Sequence, residues 1–401
     1  MEFARMRIYN ENGPTEITRR GFCRKTLDYA DRRGQKNMNK GEKQIVMDLC
    51  RFLDPNRARL LRNMEKCGDM SDVLGLLLYN RVGGIAYNTL RECELLGKVN
   101  REVRNTLQTM YNAAIIQQES YAKAAELLAS VLRNIEVPYA VLKGIVLMQT
   151  YPRGCRTSND VDILTAPEHV SAVAERLKAA GFRQGYIRNN RFVQATRKEI
   201  ISSRMNRGET VPYILEADYP FMKFLEVDIN FSLDYKPTDG ESVRGMLKDG
   251  CQLKNGLRTL NPACFILHLC AHLYKEATTM SWIQMGRDLS LYKFVDLYLL
   301  LSHAEPDLCE QLLKTAESLD LTAACAYALA GTIQLFDMRN AALLRLSERL
   351  CRMHENILDV VIDPAGGKRY VYTIDFMQRI FSSHRQKYLK EVGDLGSSAY
   401  V

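Results

Sequence analysis

Arg156-Thr157-Ser158-Asn159-Asp160-Val161-Asp162-Ile163-Leu164 is the stretch on which the reading of the chain turns. Residues two apart on a strand share a face, so Asp160 and Asp162 project to one side while Val161 and Ile163 face a buried side. Two carboxylates held that close repel, and a divalent cation removes the cost. Alone such a pair is a weak signal, because solvated aspartates at strand ends are common. Its surroundings make it informative. Upstream, Val137 to Gly144 reads as a short buried strand ending at a glycine, and Ile145–Tyr151 as a short helix stopped by Pro152. Downstream, the segment from Phe224 to Leu233 alternates. Val227, Ile229, Phe231 and Leu233 face one way, and Glu226, Asp228, Asn230 and Ser232 the other, which puts a third carboxylate on a polar strand face.

Three carboxylates on neighbouring strands suit a pair of Mg²⁺ ions, with Mn²⁺ as an alternative. Such a pair clamps the attacking and leaving oxygens of an in-line phosphoryl displacement. A polyphosphate also needs a cradle. Backbone N–H groups where the strand turns at Gly144 into the helix offer one, and Lys143, Arg156 and Ser158 can add charge and a hydroxyl.

Outward from this unit the chain becomes helical. From Lys43 to about Gly97, apolar residues such as Ile45, Leu49 and Phe52 recur at helical spacing, and a long helix is expected from about Arg101 to Asn134. Pro167 to Gly181 reads as another helix, Pro262 to about Arg352 as helical again, and Ile374 to Val392 as a last amphipathic helix. The fold class expected is α+β, a small mixed sheet flanked by helical regions. Its boundaries are a basic arm at 1–40, helices at 41–100, a core at 101–256 and a helical region at 257–401.

Charge sharpens the picture. The 401 residues carry 55 Lys plus Arg and 47 Asp plus Glu, a net +8. Residues 1–40 hold ten basic and five acidic residues, and residues 183–209 hold seven and two, so each block is +5 and the remainder near neutral. The second block lies in sequence between the paired aspartates and Asp228. Its Arg188, Arg191, Arg197, Lys198 and Arg204 are candidates for binding an anionic acceptor. The longest uncharged apolar run, Leu321 to Phe336, is shorter than the roughly 20 residues a membrane span needs, so a buried helix is expected and no membrane partner. The first residues lack the apolar core of a secretory signal. Eleven scattered cysteines without a CxxC pair fit a reduced, cytoplasmic protein.

Val141-Leu142-Lys143-Gly144, Tyr151-Pro152, Arg156 and Asp160-Val161-Asp162-Ile163-Leu164 together resemble the DNA polymerase β-like nucleotidyltransferase superfamily. More narrowly, they resemble a bacterial group of uncharacterised nucleotidyltransferases with an LKG…YP…R…DxD signature. The resemblance extends through Glu226–Asn230 to Leu267–His272 and Asp296, over roughly residues 105–300. It implies that Asp160, Asp162 and Asp228 bind Mg²⁺ and that the turn at Gly144 holds a triphosphate. One departure is Ile145, where the superfamily usually has Ser or Gly after the glycine; a hydroxyl toward the phosphate is then missing.

Other features are weaker. His268 and His272, four apart with Cys270 between them, have zinc-like spacing, but a packed helix is the expected reading. Trp282 reads as packing rather than a base-stacking residue. The function expected is Mg²⁺-dependent transfer of NMP from an NTP, ATP being favoured, to a hydroxyl of a small-molecule or protein acceptor, in a cleft beside the C-terminal helices. The alternatives are an RNA- or tRNA-directed, toxin-like enzyme and a non-catalytic scaffold.

Overall fold

The computed structural model describes residues 40–234, 238, 240–382 and 384–394. The basic arm at 1–40 lies outside this set except for Lys40. The chain divides into two compact units, Met1–Leu260 and Asn261–Val401.

Among the described residues of the first unit, four α-helices precede the long one: α1 (Lys40–Cys50), α2 (Arg57–Cys67), α3 (Ser71–Tyr79) and α4 (Gly83–Glu92). Helix α5 (Arg101–Val131) starts where the Asn100 side chain accepts from the backbone N–H of Val103. It buries Val103, Leu107, Tyr111 and Ala114, and further on Tyr121, Ala124, Ala125 and Leu128, at helical spacing.

Beyond α5 the chain builds a six-stranded sheet: β1 (Tyr139–Val141), β2 (Val161–Thr165), β3 (Arg183–Arg188), β4 (Arg191–Gln194), β5 (Tyr213–Tyr219) and β6 (Met222–Asn230), in the order β1-β2-β6-β5-β3-β4. Strand β2 pairs with β6 in parallel, and the sheet's other pairs are antiparallel. This is the mixed sheet of an α+β fold. The short helix α6 (Gly144–Thr150) follows β1, and α7 (Val170–Ala179) follows β2 after a 3-10 turn at Pro167–His169.

Val161, Ile163, Val227 and Ile229 are fully buried in one cluster with Tyr121, Leu128 and Leu177. Burying each such side chain contributes about 1.5–3 kcal/mol. Slipping β2 by one residue would turn its valine and isoleucine out and Asp162 in. The apolar face therefore fixes the register of the polar one.

The block at 183–209 is a hairpin only in its first half. Strands β3 and β4 pair with Arg188 opposite Arg191, and then α8 (Arg197–Asn206) begins. Its start is a capping box: the Thr196 hydroxyl accepts from the Glu199 N–H, and Glu199 accepts from the Thr196 N–H. Sequence reading missed this helix, although its T-x-x-E spacing signals one. Short elements α9 (Glu241–Leu247), β7 (Cys251–Gln252) and β8 (Arg258–Thr259) complete the unit.

The second unit consists of α10 (Pro262–Thr278), α11 (Met280–Gln284), α12 (Leu291–Leu301), α13 (Pro306–Ser318), α14 (Thr322–Phe336) and α15 (Ala341–Met353), then β9 (Val360–Asp363), β10 (Lys368–Tyr372), α16 (Phe376–Ile380) and β11 (Leu389–Asp394). The apolar run at 321–336 is the buried helix α14. No helix among the described residues is long and apolar enough to cross a membrane.

The helix expected over 374–392 is not formed. Phe376 and Ile380 supply one helical turn, capped by Asp375, after which residues 389–394 pair antiparallel with β10. A single i, i+4 apolar pair imitated a longer stripe, and strand pairing overrode it. Among the described residues ten cysteines are free thiols.

Candidate active site

The parallel pairing of β2 with β6 sets Asp162 directly opposite Asp228. Paired strands lie about 4.8 Å apart, so the two carboxylates share a face. Asp160, two residues before Asp162, joins them from the segment entering β2.

Asp162 is buried, and its Oδ1 accepts from two groups: Lys143 Nζ at 3.1 Å, as an ion pair, and Asn230 Nδ2 at 3.0 Å. Asp228 keeps some exposed surface but is surrounded by protein and by acids. Burial first, then the charges of Asp160, Asp162, Glu209 and Glu226, push its carboxyl well above the usual carboxylate range. Glu209 arrives by a bridge to Asn230, which brings the end of the basic block beside the site. Arg207 pairs with Glu209 at 2.7 Å.

The phosphate-side candidates gather nearby. Lys143 ends the β1 connection with φ 47° and ψ −116°, a backbone region that L-residues rarely occupy. Such strain persists where the surroundings over-determine it, and it clusters at functional positions. Gly144 has ordinary backbone angles but no room: a Cβ there would come within 2.5 Å of the Ser158 Cβ. The glycine thus lets the loop carrying Arg156 and Ser158 lie against the start of α6. The Ser158 hydroxyl donates to the Asp160 backbone O at 3.2 Å and lies 3.5 Å from its Oδ1. Arg156 and Ser158 are both buried, and the Arg156 guanidinium donates to the Thr157 carbonyl.

Ile145 is 2% exposed and belongs to the core cluster under the sheet. The position after the glycine therefore serves packing here, which accounts physically for an apolar residue.

The arginine and lysine candidates are placed differently. Arg188 and Arg191 sit on the β3–β4 hairpin, and Arg197, Lys198 and Arg204 on α8; all but half-buried Arg188 are exposed. Strand β5 separates the hairpin from β6. The structure brings Lys143, Asp160, Asp162 and Asp228 together and leaves these cations outside that group.

Sequence reading missed Asn230, Glu226 and Glu209 as members of the site. The first two lie two residues either side of Asp228 on its face and were readable from the alternation. Glu209 was not, because only the bridge to Asn230 brings it close.

Among the described residues, no three His, Cys, Asp or Glu side chains are already disposed as a metal cage. Lys143 and Asn230 instead occupy the Oδ1 of Asp162. The donor set is nevertheless carboxylate oxygen, the hard chemistry Mg²⁺ prefers. The crowding that raises the Asp228 pKa is a cost that a bound cation would relieve, so the residues fit the ion.

In the second unit, His268 and Cys270 are buried on α10, and His272 Nε2 lies 3.6 Å from Glu276 Oε1. Lys293 also pairs with Glu276. Trp282 is half-buried in α11.

A family model described as "Uncharacterised nucleotidyltransferase" matches residues 66–337, about two thirds of the chain. No curated protein matches it.

Proposed function

The chain belongs to the family of uncharacterised nucleotidyltransferases, and from that premise we propose that it moves NMP from ATP to an acceptor hydroxyl at the Asp160–Asp162–Asp228 face. The observation that carries this reading is the Asp162–Asp228 register on paired parallel strands. It holds two acids side by side with a third acid two residues away, while the opposite face is locked in the core.

In this reading Asp160, Asp162 and Asp228 hold two Mg²⁺ ions, which supply charge neutralisation for an in-line displacement at phosphorus. Lys143, Arg156 and Ser158 position the β- and γ-phosphates. The acceptor oxygen forms a bond to the α-phosphorus, and the bond from that phosphorus to the bridging oxygen breaks. Pyrophosphate leaves with the electron pair. Asp228, as a carboxylate, would take the proton from the hydroxyl.

The decisive experiment incubates the protein and its Asp228→Asn variant with α-labelled ATP, Mg²⁺ and cell extract. Label passing to an acceptor only with the wild-type protein is the expected result. Equal labelling by both proteins, or no Mg²⁺-dependent ATP binding by the wild type, rules the reading out.

A further inference from the structure

Helix α8 presents a face that the core of the first unit does not use. At about 100° per residue, Arg204, Arg197, Ile201, Met205 and Lys198 follow one another around roughly 120° of its circumference. All five are exposed, Ile201 at 46% and Met205 at 70%. The opposite side holds Ser203, which is buried and donates to the Glu209 carbonyl at 3.0 Å, anchoring the helix to the sheet connection.

The cations on this face have no carboxylate partner among the described residues, although Arg204 acts electrostatically on the buried Tyr213 hydroxyl. Arg197, Lys198 and Arg204 form no ion pair among the described residues. Glu199, the acid within the helix, is engaged by its own cap. Exposed Arg191 on the adjoining hairpin is likewise unpaired. Unpaired positive charge around exposed apolar side chains matches a ligand whose negative charges repeat and whose intervening surface is flat and apolar. A phosphodiester strand with unstacked bases has that composition.

Placement adds direction. The chain leaves α8 through Arg207 and Gly208 to Glu209, which bridges to Asn230, and the Thr210 N–H donates to the Ile229 carbonyl at 2.9 Å. The connection therefore runs from the basic face to the strand carrying Asp228. A strand lying along α8 toward that connection would bring its end to the acids.

We infer that α8 docks a single-stranded nucleic acid, whose terminal hydroxyl is the acceptor for the transfer proposed above. This deepens that reading and rests on it for the chemistry, but the docking itself does not depend on turnover.

The test uses the full chain and fluorescein-labelled oligouridylate, with anisotropy read across about 50–200 mM salt. The combined variant Arg197→Gln, Lys198→Gln, Arg204→Gln should lose about tenfold or more in affinity. Its salt dependence should flatten by about two units of log–log slope, as expected for three lost phosphate contacts on a single strand. A variant of equal net charge, Arg62→Gln, Lys66→Gln, Arg133→Gln, alters exposed cations elsewhere and should bind like the wild type. Met205→Ala should weaken binding with the salt slope unchanged. The inference is overturned if both triple variants lose affinity equally, if neither does, or if the wild type binds phosphatidylserine vesicles and not the oligonucleotide. ATP binding by the wild type, measured in parallel, reports separately on the nucleotidyltransferase reading.

Discussion

Lys143 Nζ lies 3.1 Å from Oδ1 of Asp162, so a side-chain ammonium holds the carboxylate that the proposed chemistry assigns to a metal ion. Lys143 is also a proposed phosphate ligand, and it cannot serve Asp162 and a triphosphate at full strength together. Replacing it separates the two roles. Lys143→Met should bind Mn²⁺ more tightly than the wild type without nucleotide, because a competing cation has gone. It should bind ATP about tenfold more weakly, or about 1.4 kcal/mol. Titration of free Mn²⁺ by electron paramagnetic resonance, beside ATP calorimetry, checks both. Unchanged metal affinity would deny the competition.

Asp228 makes a prediction with an unusual sign. Its folded-state pKa is raised by burial and by neighbouring acids, so the native state holds its proton more tightly than the unfolded chain does. The stability this provides is complete below the ordinary carboxylate pKa of about 3.9 and is lost as pH rises through the raised value. In metal-free buffer at neutral pH, Asp228→Asn should therefore melt higher than the wild type. A gain on the order of 1 kcal/mol would appear as about 2–4 °C in a domain of this size. The difference between the two proteins should shrink in acid. Added Mg²⁺ should raise the melting point of the wild type and not that of the variant.

Gly144 can be tested through its neighbour. A Cβ at this position would meet the Ser158 Cβ at 2.5 Å, so Gly144→Ala should cost about 1–3 kcal/mol from overpacking. Ser158→Gly removes the obstacle. The double variant should then be more stable than the sum of the single effects by about 1 kcal/mol or more, measured as coupling in a urea double-mutant cycle. Strict additivity would show that the glycine answers to something other than space.

In the second unit, Arg385 donates through Nε and Nη2 to the two carboxylate oxygens of Asp288 at 2.5 and 2.8 Å, and both side chains are buried. Arg385→Met leaves that carboxylate uncompensated and should destabilise by about 3–5 kcal/mol. Adding Asp288→Asn should recover part of the loss. Urea midpoints for the single and double variants decide it.

What could be read from sequence was whatever local periodicity controls. The alternation from Phe224 to Leu233 placed Asp228 and the core residues Val227 and Ile229 on opposite faces, and the glycine after Leu142-Lys143 marked the strand-to-helix turn. What escaped depended on pairing between distant segments. Glu209 joins the acids through a bridge to Asn230, and the Lys143 ammonium reaches Asp162 from a backbone conformation that no propensity would assign to lysine. Ile145 looked like a missing hydroxyl because the motif was compared with a polar pattern. Its burial shows that the position answers to the core. The mistaken final helix has the same origin, since β11 exists through its pairing with β10.

The parallel seam between β2 and β6 has a kinetic consequence. Strands β5 and β6 can pair across a short turn, whereas Asp162 and Asp228 meet only after the 65 residues between them have been closed into a loop. Closure entropy of that kind opposes a contact until both edges are formed. The site should thus be assembled among the last events of folding. Pulse-labelled hydrogen exchange would show it as late protection of β2 amides relative to those of the β5–β6 hairpin. A chain arrested before Met222, the first residue of β6, carries two of the three acids but no seam to align them.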